Sequence, residues 1–261
     1  MDSWSSATSY EPYVGRWSRR VAAEFVPWLD RPPGARWLDV GCGTGALTEA
    51  VIATSPAEVV GVDPSPAFVS HAAAHVPDRR ARFTVGDART LPVPDGSFDV
   101  ATSGLMLNFV PERNLALREM RRAVSPGGVV AAYVWDYRDG MQLMGHFWDA
   151  AIDLDPAARL DHEAVRFGFC RPDPLRSMFD RAELGDVEVR PIVVPTVFRD
   201  FDDYWSPFLG GSGPAPAYAM SLDEGRRSAL REALRERLPA EDDGSIHLTA
   251  RAWAARGTRE A

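Results

Sequence analysis

Apolar residues recur along this chain at two spacings, one typical of helices and one typical of strands. The segment VGRWSRRVAAEFVPWL places its apolar residues on one helical face and ends at the breaker DRPPG, which predicts an amphipathic helix. Strand-length apolar runs follow at ARWLDVG, EVVGVD, ARFTVGDA, SFDVATSG and GGVVAAYVWD, and the helical segments between them are GALTEAVIATS, PAFVSHAAAHV and RNLALREMRRAV. Strands that alternate with helices of this length predict βαβ units and a parallel sheet with helices on both faces.

After residue 136 this alternation becomes irregular. MQLMGHFWDAAIDL predicts an inserted helix, RPDPLRSMFDRAEL another helix, and DVEVRPIVVPTVF a strand. FRDFDDYWSPFLGGSGPAPAY inserts aromatic residues and a loop rich in glycine and proline. SLDEGRRSALREALRERL predicts a charged helix with a capping box formed by Ser221 and Glu224, and GSIHLTARAWAAR predicts a closing strand.

The chain has no internal repeat, low-complexity tract or clear domain boundary. We therefore predict a single domain over residues 1–261 with inserted lid helices. Its three parts are an N-terminal helical cap, a cofactor-binding half and a substrate half that contains the lid inserts, at residues 1–35, 36–136 and 137–261.

A glycine-rich turn, GCGTG, follows the first predicted strand. Glycine allows the backbone to turn sharply and to approach a ligand where a Cβ would clash. Read as Gly41, Gly43 and Ala46, the turn also satisfies a relaxed dinucleotide fingerprint, with a pyrophosphate at the helix N-terminus. The next strand ends in GVDPS, where the Asp63 carboxylate can accept both hydroxyls of a ribose. The glycine turn and Asp63 therefore do not distinguish a dinucleotide site from a site for another cofactor that contains a ribose.

Residues at the end of the third predicted strand distinguish these two kinds of site. In VGDARTLPVPDGSFDVA, Asp87 can accept the amino group of an adenine while the amide of Ala88 faces the ring, a combination that a pyrophosphate-binding dinucleotide site does not use. No Gly-Lys-Ser/Thr follows the glycine turn, which argues against a P-loop nucleotide site.

With these motifs the chain resembles the class I S-adenosylmethionine-dependent methyltransferases, especially the small-molecule type 11 group that includes the ubiquinone and menaquinone C-methyltransferases. The matching segments are LDVGCGTG, GVDPS, GDARTLPVPDGSFDVATSG and LREMRRAVSPGGVVAAYVW, in family order and at family spacing within residues 36–136. The resemblance implies S-adenosylmethionine as cofactor. It also implies an α/β, Rossmann-like, doubly wound sheet of seven strands, mostly parallel with an antiparallel last strand.

The resemblance assigns cofactor contacts along these motifs. The methionine part would lie among Asp39 and the glycine backbone, its ammonium near Ser103 and Gly104, the ribose at Asp63, and the adenine at Asp87. The full predicted set is Arg16, Asp39, Gly41, Cys42, Gly43, Gly45, Asp63, Pro64, Ser65, Asp87, Ala88, Ser103 and Gly104. Residue chemistry agrees, because a methionine moiety carries an ammonium and a sulfonium but no phosphate, and carboxylates suit both.

The segment YEPYVGRWSRR has two interpretations. In one it closes over the cofactor and Arg16 meets the cofactor carboxylate. In the other it is only an amphipathic helix whose Trp17 packs on the sheet edge.

The candidate substrate-binding and catalytic residues follow the predicted strands or lie in the inserted segments. His146, with Asp149 three residues on, and His247, at the start of the last strand, are candidate bases, although a surface or rim histidine is the favoured interpretation of each. An aromatic lining suits a flat or apolar small substrate. The predicted substrate-binding residues are Asn108, Trp135, Tyr137, Phe147, Tyr204 and Trp205, and further candidates for the same enclosure are Tyr133, Trp148 and Phe208. His71 and His75 lie four residues apart on one helix face, but no carboxylate cluster completes a metal site, so no metal is predicted.

Composition narrows the remaining choices. The chain is ordinary for a globular protein, its net charge is −8, and all 29 basic residues are arginines scattered among acids, so nucleic acid is not an expected partner. The two cysteines favour a reducing compartment, and neither a signal peptide nor a membrane span is predicted. We expect a cytoplasmic bacterial protein, monomeric or homodimeric, without a membrane partner.

The sequence thus favours an S-adenosylmethionine-dependent methyltransferase that acts on O, N or C of a small molecule. Two alternatives stay open. One is a nicotinamide-dependent oxidoreductase, motivated by Gly41, Gly43, Ala46 and Asp63. The other is a protein of this fold that binds the cofactor without methyl transfer, or uses it in another reaction such as cyclisation.

Overall fold

The computed structural model describes residues 11–210 and 213–260. The beginning of the YEPYVGRWSRR segment and residues 211–212 of the glycine- and proline-rich loop lie outside the described residues. The chain forms two compact units, each assembled from three separate stretches. The sheet unit comprises Ser18–Val134, Arg171–Ile192 and Ala252–Ala261, and the aromatic unit comprises Met1–Trp17, Trp135–Cys170 and Val193–Arg251. The description as a single domain with lid inserts stays a prediction.

Seven strands form one sheet in the order β3-β2-β1-β4-β5-β7-β6. The first five strands pair in parallel, and Asp39 of β1 lies opposite Gly61 of β2 and Thr102 of β4. Gly127 and Gly128 at the start of β5 exchange backbone hydrogen bonds of 2.8 Å with Arg259 at the end of the chain, an antiparallel arrangement. The strands are β1 Arg36–Val40, β2 Glu58–Asp63, β3 Ala81–Val85, β4 Phe98–Gly104, β5 Val124–Trp135, β6 Gly185–Phe198 and β7 Ile246–Thr258. The predicted seven-stranded, mostly parallel sheet with an antiparallel last strand is confirmed.

Each helix predicted from apolar spacing is present. The helices are α1 Arg16–Trp28, α2 Ala46–Ile52, α3 Pro66–His75, α4 Arg113–Ala123, α5 Gln142–Leu154, α6 Glu163–Arg166, α7 Pro172–Arg181, α8 Phe201–Trp205, α9 Pro214–Ser221 and α10 Glu224–Arg237. A π-helical turn, Glu11–Gly15, precedes α1, and three 3₁₀ turns lie at Leu107–Phe109, Pro156–Asp161 and Ser206–Gly210. No helix within the described ranges has the length and apolar character needed to cross a membrane.

The apolar face of α1 packs within the sheet unit. Val21, Phe25 and Leu29 have no exposed surface, and the ring of Phe25 lies 4.8 Å from that of Tyr133 on β5. Full burial of one such side chain stabilises a fold by about 1.5–3 kcal/mol. The periodic apolar residues of this segment therefore account for a helix that is fixed by packing and not by local propensity alone.

Aromatic side chains fill the interior of the aromatic unit. The rings of Phe147 and Phe208 stack at 4.5 Å, and the ring of Tyr204 lies 5.4 Å from that of Phe208. The hydroxyl of Tyr204 donates a hydrogen bond of 2.8 Å to the carbonyl oxygen of Leu143. In the same unit the buried carboxylate of Asp136 accepts from the Arg251 guanidinium at 2.6 and 2.7 Å.

Two local predictions in this region need correction. The part of the segment expected as a glycine- and proline-rich loop contains the helix α9, because Pro214 begins α9 at a first-turn position where proline has no amide to leave unpaired. The capping box of Ser221 and Glu224 is wrong. Helix α10 begins after Asp223, whose carboxylate accepts from the Arg226 amide at 2.8 Å, whereas the Ser221 hydroxyl donates back to the carbonyl oxygen of Tyr218.

This cap leads to a stability prediction. Asp223→Ala removes the acceptor for an amide of the first turn of α10, so we expect the free energy of unfolding to fall by about 1 kcal/mol. Ser221→Ala, two residues away, serves as the control and should cost clearly less. Urea denaturation of the three proteins measures both differences, and an equal or larger loss for Ser221→Ala would restore the serine as the cap.

Candidate functional site

The glycine turn requires glycine for two physical reasons. Gly41, Gly43 and Gly45 all have positive φ angles, of 74°, 52° and 89°. A Cβ on Gly41 would also lie 2.3 Å from Cγ of Met106, so no side chain fits there. The amide of Gly41 donates to the carbonyl oxygen of Val62 at 2.7 Å, which ties the turn to the end of the neighbouring strand β2.

Asp63, the last residue of β2, holds the loop after β1 and the loop after β2 through its carboxylate. Oδ2 accepts from the Gly43 amide at 3.0 Å, and Oδ1 accepts from the Ser65 amide at 2.9 Å. Burial raises the pKa of Asp63, and the two amide hydrogen bonds oppose that shift. Each carboxylate oxygen has more than one acceptor position, so both can receive a further hydroxyl. Ser65 caps α3 by accepting from the Phe68 amide. Pro64, between Asp63 and Ser65, is exposed.

Asp39, at the end of β1, is a buried carboxyl that lacks one partner. It is 1% exposed; Oδ2 accepts from the Thr48 hydroxyl at 2.6 Å, and Oδ1 has no hydrogen-bond partner. Burial raises its pKa to about 7, against the hydrogen bond from Thr48. The fully buried hydroxyl of Ser103, on the neighbouring strand β4, has no partner either. Buried polar atoms are rarely left unpaired, so two such groups on adjacent strand ends indicate a place for a polar ligand.

The chain just after Ser103 is closely packed and strained. A Cβ on Gly104 would lie 2.5 Å from the hydroxyl oxygen of Tyr133, so this tyrosine explains the glycine. Leu105 follows with a φ of 60°, a conformation that is costly for a branched side chain and is concentrated at functional sites.

Asp87 is partnered differently from the expectation. Both of its oxygens accept from the Arg89 guanidinium, Oδ1 from Nε at 3.0 Å and Oδ2 from Nη2 at 2.6 Å, and these contacts lower the pKa of Asp87. Its carboxylate is nearly half exposed, while Ala88 is buried. Binding of an adenine amino group by Asp87 stays a prediction, now with Arg89 sharing the carboxylate. Cys42 of the glycine turn is a buried thiol whose pKa is raised by burial.

Arg16 lies in the aromatic unit. Its Nη1 donates to Oδ1 of Asp203 at 3.0 Å, and its guanidinium lies over the rings of Trp17 and Phe198 at 4.4 and 4.8 Å from their centroids. The predicted contact with a cofactor carboxylate would have to compete with this ion pair.

The two candidate bases differ in environment. His146 on α5 is half-buried, and burial lowers its pKa although Asp149 acts in the opposite direction. Asp149 is also 3.8 Å from the Arg237 guanidinium. His247 is exposed, and its Nε2 is 3.1 Å from the Ser245 hydroxyl.

The other two histidines considered for a metal pair stack on each other. The rings of His71 and His75 lie 3.8 Å apart, and within the described parts of the chain no group of three or more potential metal ligands occurs.

The predicted substrate-binding residues divide between the two units. The aromatic unit contains Trp135, Tyr137, Phe147, Tyr204 and Trp205, all buried. The ring of Tyr137 lies 5.2 Å from that of Phe167, and that of Trp205 6.1 Å from Phe208. Asn108 belongs to the sheet unit, on the 3₁₀ turn after β4. Phe147, Tyr204 and Trp205 are thus joined through Phe208, whereas their role in enclosing a substrate stays a prediction.

Sequence reasoning missed two residues. Thr48, which bonds Asp39, could have been found as a polar residue on the buried face of the helix behind the glycine turn. Glu163 in the aromatic unit is a fully buried carboxyl with one unpartnered oxygen, and it gave no periodic or motif signal.

Comparison with known proteins places these residues in a family context. The family model described as a methyltransferase domain matches residues 38–132. The demethylmenaquinone methyltransferase of Geobacillus kaustophilus is 34% identical over 211 residues, which are 73% of this chain and 86% of that protein. The 2-methyl-6-phytyl-1,4-hydroquinone methyltransferase of Synechocystis is 31% identical over 185 residues, 70% of this chain. This chain spans 57% of the length of that relative and 65% of two relatives from Synechococcus.

The fold is shared with solved structures at lower identity. Phosphoethanolamine N-methyltransferase 2 of Haemonchus contortus, in complex with S-adenosyl-L-methionine, aligns with a TM-score of 0.56 at 16% identity and covers 97% of this chain and 56% of its own. At 16% sequence identity this alignment shows a shared fold only.

The buried carboxyl of Asp39 leads to a pH prediction for the unliganded protein. Its pKa is about 7 when folded and about 3.9 when unfolded. Between pH 4 and pH 7 the folded protein therefore binds more protons than the unfolded protein. The contribution of the protonated Asp39 to the free energy of unfolding is present below pH 4 and is lost as pH rises to 7. Asp39→Asn, which cannot ionise, should match the wild type near pH 4 and exceed it in unfolding free energy at pH 8.

Urea denaturation from pH 4 to 8 measures this difference. Asp99→Asn is the control, because Arg36 lowers the pKa of Asp99 and that variant should differ from the wild type by a constant amount above pH 5. A constant difference for Asp39→Asn as well would mean that Asp39 is ionised in the folded protein.

Proposed function

The chain belongs to the class I S-adenosylmethionine-dependent methyltransferases, of the type that includes the quinone C-methyltransferases, and from this premise we propose the reaction that it catalyses. The proposed reaction is transfer of a methyl group from S-adenosylmethionine to a carbon of a small aromatic acceptor that carries ring hydroxyls. The names of the Geobacillus and Synechocystis relatives support a quinone-type or hydroquinone-type ring.

The observation that carries the proposal is the pair of unpartnered buried groups at neighbouring strand ends. Oδ1 of Asp39 needs a hydrogen-bond donor and Oγ of Ser103 can accept from one, and an ammonium group supplies donors with the charge that a carboxylate favours. Asp63 has acceptor positions left for the two ribose hydroxyls. This set of acceptors fits S-adenosylmethionine, since it combines a cation site with a diol site and contains no phosphate cradle.

The residues of the chain contribute mainly by positioning. When bound, S-adenosylmethionine supplies an electrophilic methyl group on a positively charged sulfur. Asp39 and Asp63 would fix the two ends of the methionine-ribose portion, and the glycine turn would let the backbone lie against it. Correct orientation of reacting groups lowers a barrier by roughly 7–11 kcal/mol in favourable systems. His146 and His247 stay predicted bases, and burial lowers the pKa of His146, which favours the unprotonated form that a base needs.

The proposal also covers the class of acceptor, the cellular location and the oligomeric state. The net charge of −8 supports a small-molecule acceptor over nucleic acid. A bacterial cytoplasm, the absence of a membrane partner and a monomeric or homodimeric state are likewise proposed. Of the two alternatives, the nicotinamide enzyme would need a pyrophosphate where Asp39 presents a carboxyl, and binding without methyl transfer is excluded only by a product.

The direct test uses methyl-labelled S-adenosylmethionine with a panel of hydroquinones and a small-molecule extract of the source organism, followed by mass spectrometry. We expect label on a ring carbon of one acceptor. Label on oxygen or nitrogen would refute the proposed acceptor atom. Bound cofactor without label in any product would favour the non-transferring alternative.

The cofactor site is tested by two substitutions. Asp63→Ala and Asp87→Ala should each weaken S-adenosylmethionine binding at least tenfold, because a hydrogen bond to a charged group contributes about 1.5–3 kcal/mol. Asp99→Ala is the matched control, since Asp99 lies near the opposite end of its strand and pairs with Arg36 at 2.9 Å. Isothermal titration calorimetry on the folded variants gives the affinities. If Asp63→Ala and Asp87→Ala bind as tightly as the wild type, the assignment of the site is wrong.

A further inference from the structure

The loop between β3 and β4 is held by two arginines that act on different parts of it. Arg122 of α4 donates to the carbonyl oxygens of Val93 at 2.9 Å and Leu91 at 3.1 Å. Arg89, within the loop, instead contacts the carboxylate of Asp87. One arginine thus fixes the main chain of the loop, and the other fixes the side chain that is predicted to bind adenine. All of these residues lie in the sheet unit.

Arg89 defines the orientation of the Asp87 carboxylate. Its backbone amide and its Nε donate to Oδ1 of Asp87 at 2.8 and 3.0 Å, and its Nη2 donates to Oδ2 at 2.6 Å. Its Nη1 donates at 2.8 Å to Oε2 of Glu112, the residue before α4. The planar fork of a guanidinium matches the geometry of a carboxylate. Because Glu112 anchors the guanidinium from the other side, these contacts together hold Asp87 in one orientation.

The contacts from Arg89 leave room for another donor on Oδ2. A carboxylate has about four acceptor positions, two on each oxygen. On Oδ1 the backbone amide and Nε occupy both, whereas on Oδ2 the close donor is Nη2, and Nε lies at 3.1 Å and is shared with Oδ1. The Asp87 side chain is 43% exposed, so it is accessible to a ligand. An amino group that donates to Oδ2 would form a charge-assisted hydrogen bond, which is stronger than a neutral one.

The sheet places Asp87 beside the predicted ribose position. Asp63 and Val85 are paired in the register of β2 and β3, and the amide of Gly86 donates to the carbonyl oxygen of Asp63 at 3.1 Å. Neighbouring strands lie about 4.8 Å apart. Asp87 follows Gly86 directly, so the base of a nucleoside whose ribose is bound by Asp63 would lie next to the loop that carries Asp87.

We propose that Arg89 is a positioning residue for the adenine of S-adenosylmethionine: it holds Asp87 so that Oδ2 accepts the 6-amino group. The inference rests on the cofactor site of the proposed function and adds the residue that sets its preference for a 6-amino group. A ring with an oxygen at position 6 would present a second acceptor to Oδ2 in place of a donor. A site built around a hydrogen bond to an N–H rejects a ligand that lacks it.

Arg89 acts on Asp87 through order more than through charge. Arg89 lowers the pKa of Asp87, but an aspartate is ionised at pH 7 without this help. An exposed carboxylate that is free to rotate has to be immobilised by its ligand, which weakens binding on the order of threefold to tenfold. Contacts from Arg89 remove this cost before the cofactor binds.

The test measures the preference for a 6-amino group as the ratio of two dissociation constants, that of S-inosylhomocysteine divided by that of S-adenosylhomocysteine. The first ligand carries a carbonyl oxygen in place of the 6-amino group of the second. Isothermal titration calorimetry at neutral pH gives this ratio for the wild type, Arg89→Gln and Arg122→Gln. We expect a ratio of about ten or more in the wild type. In Arg89→Gln the ratio should fall by about threefold or more, and in Arg122→Gln it should stay within about twofold of the wild type.

Arg122→Gln is the matched control. It removes the ion pair with Glu119 and the contacts with the main chain of the loop, but it leaves the partners of Asp87 in place. A loop that is merely loosened would bind both ligands more weakly and keep their ratio. If Arg89→Gln does not fold, Arg89→Lys replaces it, since an ammonium keeps the charge but lacks the fork, and the same fall in the ratio is expected.

Three results would overturn the inference. The first is a smaller fall of the ratio in the Arg89 variant than the one expected. The second is an equal fall in Arg122→Gln. The third is tighter binding of S-adenosylhomocysteine by Arg89→Gln, which would mean that Arg89 competes with adenine for Asp87.

The outcome is independent of the methyl acceptor, because neither ligand carries a transferable methyl group. If the ratios are as expected but no hydroquinone is labelled in the turnover experiment, the role of Arg89 stands and the proposed reaction fails. If the wild type binds both ligands equally well, the inference is wrong, whereas labelling of an acceptor would still support the proposed reaction.

Discussion

The carboxylate of Asp63 is the contact on which the cofactor half depends. It accepts amides from Gly43 and Ser65, which belong to the connections after β1 and β2, and its own carbonyl oxygen accepts the amide of Gly86 after β3 at 3.1 Å. Three successive loops at the carboxyl edge of the sheet are thus held by one residue. Parallel strands bring these loops together, but hydrogen bonds to a charged group fix their separation. The site is therefore organised before any ligand arrives, which limits the entropy lost on binding.

The sheet unit was the part best predicted from the sequence. Strand β2 runs from Glu58 to Asp63, exactly the apolar run read from the pattern, because a strand buried in a parallel sheet must be apolar almost throughout. The glycine turn was equally readable, since positive φ angles and the closeness of Met106 leave glycine as the residue that fits at position 41. Both signals are local, and local signals survive without knowledge of the tertiary structure.

Contacts between residues distant in sequence could not be predicted in this way. Arg16 and Asp203 are 187 positions apart, and neither segment indicates that the guanidinium will be paired within the aromatic unit. Even the cap of α10 moved from Ser221 to Asp223, because the preceding helix α9 uses the serine hydroxyl at its own end. Glu163 was invisible for the same reason: a single acid in an irregular segment is normally exposed, and only the folded chain buries it under Trp148.

Asp39 and Glu163 are chemically alike, yet the charges around them differ. Both are buried carboxyls with one unpartnered oxygen and a pKa of about 7. The neighbouring charge that acts on Asp39 is a second carboxylate, Asp63, so a cation bound there relieves repulsion as well as completing hydrogen bonds. The neighbouring charge that acts on Glu163 is the cation of Arg166, and its other contacts are neutral N–H donors. A second cation would therefore gain little at Glu163. The same side-chain chemistry is thus open to a cation in the sheet unit and already lies beside one in the aromatic unit.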